Sequence, residues 1–237
     1  MNFKKHIPNS ITCCNLISGC IATTYAFSGN PKMALIWIII GAVFDFFDGM
    51  SARLLHVSSP IGKELDSLAD DVTFGVAPAT IVFAELGVLE YPSFMEPMRQ
   101  FIPYIAFVMA AFSALRLAKF NLDERQTTSF IGLPTPANAL FWGSLVVANP
   151  TWLEGNNWSV LVVIVLVLIS CYLLISEIPM FALKFKQWGW KDNKVKYCFM
   201  ALSVFCVAVF GILEAWWIVI SLYFIISVIL NLNNKEK

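Results

Sequence analysis

Apolar stretches of membrane-spanning length, one after another along the chain, most constrain how this sequence can fold. A helix of about 20 apolar residues crosses the hydrocarbon core of a bilayer. Only helices and closed barrels satisfy their backbone hydrogen bonds there. Hydrophobic residues make up 58% of the chain and charged residues 14%, whereas a soluble domain is roughly a quarter charged. The sequence therefore predicts an all-α polytopic membrane protein.

Eight transmembrane helices are predicted, as one integral membrane domain over residues 1–237. The apolar windows lie near residues 11–28, 33–54, 66–88, 100–119, 134–150, 158–180, 196–212 and 214–231. A signal peptide is the alternative for the first window. Pro8 and Asn9 lie between the charged start and the apolar run, and no convincing cleavage site follows, so we interpret the window as a membrane helix.

The distribution of basic residues predicts the orientation of the helices. If the N-terminus is cytoplasmic, only Lys32 and Arg99 of the 16 lysines and arginines face the opposite side. Basic residues are enriched in cytoplasmic loops. We therefore expect a multi-pass protein of the cytoplasmic (inner) membrane with both termini, and residues 45–70, on the cytoplasmic side.

Four aspartates lie at the edges of the second and third apolar windows: Asp45, Asp48, Asp66 and Asp70. Spacings of three and four residues place each pair on one face of a helix. Carboxylates that converge repel one another unless cations compensate their charge. Oxygen ligands favour Mg²⁺ or Mn²⁺ over Zn²⁺, and two such ions suit displacement at phosphorus. A solvated acidic loop is the alternative, although acids at a membrane edge usually serve a function.

Residues between the two aspartate pairs are suited to a bulky phosphate ligand. Gly49 and Gly62 allow the backbone to approach a ligand closely. Arg53, about one helical turn after Gly49, can neutralise a phosphate.

This stretch resembles the signature of the CDP-alcohol phosphotransferase family. The pattern is Asp45-x-x-Asp48-Gly49-x-x-Ala52-Arg53, eight residues, then Gly62-x-x-x-Asp66-x-x-x-Asp70. Members transfer a phosphatidyl-type group from a CDP-linked donor to an alcohol and release CMP. The resemblance implies the family fold of six core helices, here a catalytic core at about 8–185, followed by a helix pair at about 196–231.

The resemblance also implies roles for individual residues. Asp45 and Asp66 would bridge two metal ions, and Asp48 would bind the first ion. Asp70 would bind the second ion and accept the proton of the attacking hydroxyl as the catalytic base. The residues implied to contact CDP-diacylglycerol are Pro8, Asn9, Thr12, Gly49, Arg53, Ser59 and Gly62.

One segment of the resemblance has a plainer interpretation, and one neighbouring residue departs from the family pattern. Pro8-Asn9-Ser10-Ile11-Thr12 resembles the opening motif of the family, but it equally reads as an ordinary helix start. Asp71 stands where the family pattern leads us to expect a small apolar residue. A helix turns it about 100° away from Asp70, so we expect a supporting or solvated position for it.

The acceptor alcohol is predicted from other segments. Arg116 can bind a carboxylate through two hydrogen bonds, although ordinary loop charge explains it at least as well. The runs RLAKFN and GLPTPANA, NLISG at residues 15–19, LDSLAD with FGVAPA, and IPMFALKF at residues 178–185 resemble the membrane-type phosphatidylserine synthases. The resemblance implies that L-serine is the acceptor, bound near Arg116 and Asn121, and that the chain is a homodimer.

Two alternatives stay open. Phosphatidylglycerophosphate or phosphatidylinositol-phosphate synthesis belongs to the same family, and its acceptors carry a phosphate. A divalent-cation transporter belongs to a different class and predicts acids near the middle of several spans. We expect no nucleic-acid partner.

Overall fold

Helices form most of the described chain, which in this computed structural model comprises residues 6–57, 59–123, 130–153, 156–181 and 189–235. They are α1 (His6–Phe27), α2 (Pro31–Leu54), α3 (Pro60–Asp70), α4 (Ala77–Val88), α5 (Ala106–Leu122), α6 (Thr135–Ala148), α7 (Ser159–Ile175), α8 (Trp190–Phe210) and α9 (Trp216–Lys235). The π-helical segment Asp71–Val76 joins α3 to α4, and the 3₁₀ turns Glu96–Met98 and Ile102–Ile105 precede α5. Two short strands, β1 (Phe130–Ile131) and β2 (Pro179–Met180), pair antiparallel.

The predicted fold class is confirmed. Among the described residues, five helical stretches are long and apolar enough to cross a membrane: His6–Phe27, Pro31–Leu54, Pro60–Val88, Ile102–Leu122 and Asn193–Phe210. Two shorter apolar helices, Ser159–Ile175 and Trp216–Leu232, accompany them. Each predicted apolar window holds a helix, so the chain is a multi-pass, all-α membrane protein.

The third helical stretch begins earlier than predicted. Ser59 caps α3, because its hydroxyl accepts a hydrogen bond from the Gly62 amide at 3.0 Å. Pro60 at the first helical position is preorganised for the helix and needs no donor there. Gly62, Asp66 and Asp70 therefore lie on one helix, each separated by about one turn.

The predicted window 158–180 is too long at its C-terminal end. Helix α7 stops at Ile175, and Pro179–Met180 is extended and pairs with β1. Gly132 sustains the turn after β1 in a left-handed conformation, with φ of 73°. Its amide donates to the Ile178 carbonyl at 2.9 Å. Of the residues used for the orientation and the resemblance, those outside the described residues are Lys4, Lys5, Arg125, 182–185, Lys186 and Lys237.

Small residues let α2 pack closely against both the π-helical segment and α1. A Cβ at Gly41 would lie 2.6 Å from Thr73 Cγ2 and 2.9 Å from Asn15 Oδ1. The Thr73 hydroxyl donates to the Asn15 carbonyl at 3.0 Å. Helices in membranes approach closely at small residues and join through hydroxyl bonds. This packing holds the end of α3 against the middle of α1.

The C-terminal helix α9 packs on α6 and on β2. The Trp217 amide donates to Ser144 Oγ at 3.1 Å. The Asn231 side chain donates to the Pro179 carbonyl at 2.5 Å. A buried apolar cluster joins these elements: Leu133, Met180, Phe199, Cys206, Ala215, Val219 and Tyr223.

Candidate active site

Three carboxylates lie close together where the C-terminal part of α2 packs near α3. Asp45, Asp48 and Asp66 each offer an oxygen, and these atoms all lie within 4.8 Å of one another. Asp48 is buried, and Asp66 Oδ1 is buried without a hydrogen-bond partner among the described residues. Within the part of the chain that the structure describes, no lysine or arginine forms an ion pair with these three. An all-oxygen donor set with uncompensated charge fits a hard divalent cation.

Asp70 lies one turn beyond Asp66 and outside that group of three. Its carboxylate is close enough to Asp45 and Asp66 for the charges to repel. The Asn15 side chain donates to Asp70 Oδ1 at 3.0 Å. Asn15 lies on α1 and is completely buried, so its hydrogen bond restrains the rotamer of Asp70 on α3.

The contact from Asn15 was not predicted, although the sequence carries a signal for it. Thr12 and Asn15 are three residues apart in an apolar helix and therefore lie on one face. Both are buried, and buried polar side chains in a membrane helix usually bond to another helix. What the spacing does not contain is the identity of the partner.

Thr12 contacts the aspartate cluster directly. Its hydroxyl donates to Asp48 Oδ2 at 2.5 Å and also lies 3.0 Å from the Pro8 carbonyl. The family resemblance led us to expect that Thr12 contacts the CDP-lipid. In the structure it holds the Asp48 carboxylate in place as well as lining the adjacent cavity.

The cavity beside the three carboxylates, here the α1–α3 cavity, is open to solvent and has a volume of ≈ 200 Å³. Its lining is Pro8, Asn9, Thr12, Asp48, Gly49, Ala52, Val57, Ser59, Gly62, Lys63 and Asp66. A Cβ at Gly62 would lie 3.0 Å from Ser59 Oγ and 3.1 Å from Asn9 Oδ1, so glycine lets α1 and α3 meet here. The structure thus brings together six of the seven residues expected to contact the CDP-lipid.

Arg53 is the seventh of these residues, and it does not line the α1–α3 cavity. It is exposed at the end of α2. One guanidinium nitrogen lies 3.6 Å from the position that a Cβ at Gly49 would take. The side chain therefore lies next to the cavity wall, where a long flexible cation can reach a phosphate.

Asp71 belongs to neither group of carboxylates described above. It is half-buried, and its Oδ1 is buried without a hydrogen-bond partner among the described residues. A Cβ at Gly75 would lie 2.7 Å from that oxygen and 3.0 Å from Ser113 Cβ. The side chain packs toward α5 rather than lying free in solvent.

Arg116 lines a second cavity, here the Arg116 cavity. Only 7% of Arg116 is exposed, and its Nε has no hydrogen-bond partner among the described residues. The guanidinium carbon lies 5.4 Å from the centre of the Phe120 ring, and the charge is close enough to act on Asp70. The cavity lining is Arg116, Lys119, Phe120, Asp123, Ile131, Leu174, Ile175, Ser176 and Glu177.

Asn121 is directed elsewhere. Its side chain donates to Ser67 Oγ at 2.7 Å, and its carbonyl accepts from Lys63 Nζ at 3.0 Å. Asn121 does not line the Arg116 cavity. The two residues expected to bind serine are therefore not neighbours in one cavity, and Asn121 ties the end of α5 to α3.

A model of the CDP-alcohol phosphatidyltransferase family matches residues 5–185. The chain belongs to this family. The match covers the four aspartates, the residues that line both cavities and the segments that carry the motifs described above. The helices α8 and α9 lie beyond the match to the CDP-alcohol phosphatidyltransferases.

Three relatives with the same name illustrate the similarity. A CDP-diacylglycerol–serine O-phosphatidyltransferase of Helicobacter pylori is 31% identical over 227 residues, which are 94% of this chain and 89% of that protein. The protein of that name from Bacillus subtilis is 38% identical over 136 residues, 56% of this chain and 70% of its own length. The one from Mycobacterium bovis is 31% identical over 182 residues, 73% of this chain and 60% of its own length.

Proposed function

We propose that this protein transfers the phosphatidyl group of CDP-diacylglycerol to the hydroxyl of L-serine, giving phosphatidylserine and CMP. The convergence of Asp45, Asp48 and Asp66 beside the α1–α3 cavity carries the proposal, because it joins metal-binding oxygens to space for a CDP headgroup. The relatives' shared name supports serine as the acceptor.

In the proposed site, Asp45, Asp48, Asp66 and Asp70 would hold two divalent ions, with the convergent group of Asp45, Asp48 and Asp66 as the principal ligands. The ions are Mg²⁺ or Mn²⁺, since every donor is a carboxylate oxygen. When bound, they supply charge stabilisation at the transferring phosphoryl group and lower the proton affinity of the incoming hydroxyl.

The side chains of the α1–α3 cavity bind and orient the donor. Asn9, Ser59 and the cavity-facing backbone at Gly49 and Gly62 surround the cytidine diphosphate group. Arg53 neutralises a phosphate from its position beside Gly49. Thr12 holds Asp48 through its 2.5 Å hydrogen bond, which limits the motion of that ligand during turnover.

Asp70 takes the proton from the serine hydroxyl. The serine oxygen forms a bond to the β-phosphorus, the bond from that phosphorus to the bridging oxygen breaks, and CMP leaves with the bridging oxygen. The hydrogen bond from Asn15 keeps one Asp70 oxygen occupied, so the other oxygen is directed to the hydroxyl. General-base catalysis of this kind contributes about 10²–10⁴-fold.

The Arg116 cavity receives the acceptor. Arg116 binds the serine carboxylate through its guanidinium, and its closeness to Asp70 places the serine hydroxyl near the base. Asp123 and Glu177 are among the lining residues together with Lys119. Mixed charge suits a zwitterionic amino acid better than a doubly charged phosphate, which the carboxylates would repel.

One assay tests the acceptor against the family alternatives. Purified protein is incubated with CDP-diacylglycerol and Mn²⁺, together with serine, glycerol 3-phosphate or inositol phosphate, and CMP release is measured. CMP release with serine alone is expected. Release with glycerol 3-phosphate or inositol phosphate instead contradicts the serine assignment, and metal flux into proteoliposomes without CMP release would favour the transporter alternative.

The orientation and assembly are part of the proposal. We expect the aspartates and both termini at the cytoplasmic face of the cytoplasmic membrane, where serine and the CDP headgroup are available, and a homodimer as the working unit. The six native cysteines are first replaced. Labelling of single cysteines then placed at Ser59 and Gln100, on opposite predicted sides, tests the orientation in sealed vesicles. Native mass spectrometry, which removes the detergent in the gas phase, tests the dimer by the mass of the complex.

A further inference from the structure

Tyr223 of α9 lies at the edge of the predicted acceptor site, although the helix pair to which it belongs is beyond the family match. Tyr223 is 8% exposed. Its hydroxyl is close enough to Arg116 for the guanidinium charge to act on it. The same hydroxyl donates to the Phe181 carbonyl at 2.9 Å. The side chain is therefore hydrogen-bonded to the chain that follows β2 and lies within electrostatic range of Arg116.

The aromatic packing around Tyr223 fixes the ring. Its centroid lies 4.8 Å from the Phe181 ring and 5.8 Å from the Phe199 ring. Aromatic pairs at such distances stabilise beyond simple area burial. A ring held on two sides directs its hydroxyl to one place, which is the property required of a positioning group.

A second contact from α9 holds the same segment. Asn231, two turns after Tyr223 on α9, donates to the Pro179 carbonyl at 2.5 Å. Proline has no amide hydrogen, so its carbonyl is the remaining backbone group with which this residue can be anchored. The strand β2 is thus bonded to β1 on one edge and to α9 through side chains.

The strand pair transmits this anchoring to the Arg116 cavity. Ile131 pairs with Pro179 and lines that cavity. The Gly132 amide donates to the Ile178 carbonyl and the Leu133 amide to the Leu173 carbonyl, each at 2.9 Å. One part of the cavity wall is therefore a short two-stranded unit, and Tyr223 and Asn231 hold its outer edge.

We infer that Tyr223 is a positioning residue for the acceptor: it fixes the β1–β2 wall that lines the Arg116 cavity, and so determines the affinity for serine. The inference rests on the proposed function for its substrate. It assigns a part in the reaction to α9, which carries no motif of the donor site.

The test replaces Tyr223 by phenylalanine in the full chain, purified and reconstituted with CDP-diacylglycerol. The ring contacts remain and the hydroxyl is lost, so the protein is expected to fold. We expect KM for serine to rise about three- to tenfold, the size of one hydrogen bond, with kcat and the KM for CDP-diacylglycerol changed less than about twofold. Ser227→Ala is the matched control, because its buried hydroxyl donates within α9 to the Tyr223 carbonyl at 2.8 Å.

A double variant tests the route through Arg116. If Tyr223 acts by holding the wall of the cavity in which Arg116 binds serine, Tyr223→Phe raises KM for serine much less in an Arg116→Lys background than in the wild-type chain. Full additivity of the two effects overturns this route. Equal effects of Tyr223→Phe and Ser227→Ala on KM overturn the inference as a whole.

Hydrogen exchange gives a readout that needs no substrate. Tyr223→Phe is expected to speed exchange of the Gly132 and Leu133 amides, and Ser227→Ala to leave it unchanged. If the wild-type chain released no CMP with serine, the proposed function would fail, and faster exchange would still support the anchoring of the wall by Tyr223. Unchanged exchange overturns the anchoring, whatever the acceptor.

Discussion

The α1–α3 cavity and the Arg116 cavity lie near the same aspartates but are built in different ways. The α1–α3 cavity is lined by residues between positions 8 and 66, from consecutive helices. The Arg116 cavity combines α5, β1 and the end of α7, and its wall is anchored by α9. The first is defined by short-range spacing, and the second by contacts between distant segments. A motif can therefore describe the first cavity, whereas the second needs the assembled fold.

The largest expected effect is the loss of CMP release in a variant of Asp70, compared with the same change at Asp71. Asp70→Asn removes the proposed base, so CMP release should fall by about 10²–10⁴-fold while CDP-diacylglycerol binding stays measurable. Asp71→Asn is the matched control, because Asp71 packs toward Gly75 and α5. It should retain activity within about threefold, given its place outside the metal cluster. Full activity of Asp70→Asn, or equal losses in both variants, contradicts the assignment of the base.

Thr12→Val tests whether the α1–α3 cavity depends on the support of Asp48. The change removes the hydrogen bond to Asp48 and keeps the shape of the side chain. Loss of a group that orients a metal ligand typically weakens metal affinity or activity about 10–100-fold. We expect the Mn²⁺ concentration for half-maximal CMP release to rise accordingly, with KM for serine little changed.

Thr12→Ser is the companion variant, because it restores the hydroxyl. It should recover most of the metal affinity. An unchanged Mn²⁺ dependence in Thr12→Val would show that Asp48 does not need this contact.

Arg116→Lys tests the acceptor side alone. Lysine keeps the charge but loses the planar pair of donors. KM for serine should rise about tenfold, as expected for one charge-assisted hydrogen bond, with KM for CDP-diacylglycerol unchanged. Lys119→Arg is a suitable control because it keeps a cation in the same cavity lining. A parallel loss of donor affinity would mean that the two cavities are not separate.

The smallest expected effect is a loss of stability when Gly132 is replaced by alanine. A Cβ at Gly132 would meet three carbonyl oxygens, of Leu173, Leu174 and Ser176, at 2.9–3.1 Å. Gly132→Ala should therefore destabilise the protein by about 1–3 kcal/mol, measured as a lower thermal midpoint in detergent. It should also weaken serine binding, because the β1–β2 wall shifts.

Two other glycines separate the causes of that loss. Gly29 also has a positive φ, of 70°, but a Cβ there would meet nothing within 4 Å. Gly29→Ala should therefore show only the conformational cost, about 1 kcal/mol. Gly87→Ala, in a helix and without close neighbours, should be neutral or slightly stabilising. Equal midpoints for all three variants would contradict the packing of the β1–β2 wall.

The helices were predictable because their signal is local. Hydrophobic runs of bilayer length determine where a chain crosses a membrane, whatever its neighbours are. The errors fall at helix ends, where single residues decide. Ser59 and Pro60 start α3 earlier than hydropathy indicates, and the segment after Ile175 leaves the helix because it pairs with β1.

The candidate site divides in the same way. The spacing of Asp45 with Asp48, and of Asp66 with Asp70, is enough to predict that each pair shares a helix face. That spacing does not reveal that Asn15 bonds to Asp70. Nor does it reveal that Asn121 bonds to Ser67 and is therefore not a neighbour of Arg116 in the acceptor cavity. Both contacts join residues more than 50 positions apart in the sequence, and their partners depend on how the helices pack.

By itself, the sequence determined the membrane class, the positions of the helices and the set of carboxylates. These follow from hydrophobicity and from the repeat of the helix, which act over a few residues. Only the tertiary structure decided that Asp45, Asp48 and Asp66 converge within 4.8 Å, and that Tyr223 reaches the surroundings of Arg116 from the other end of the chain. The reason is physical: close packing at Gly41 and Thr73 sets how α1, α2 and the π-helical segment are rotated against one another, and that rotation decides which side chains meet.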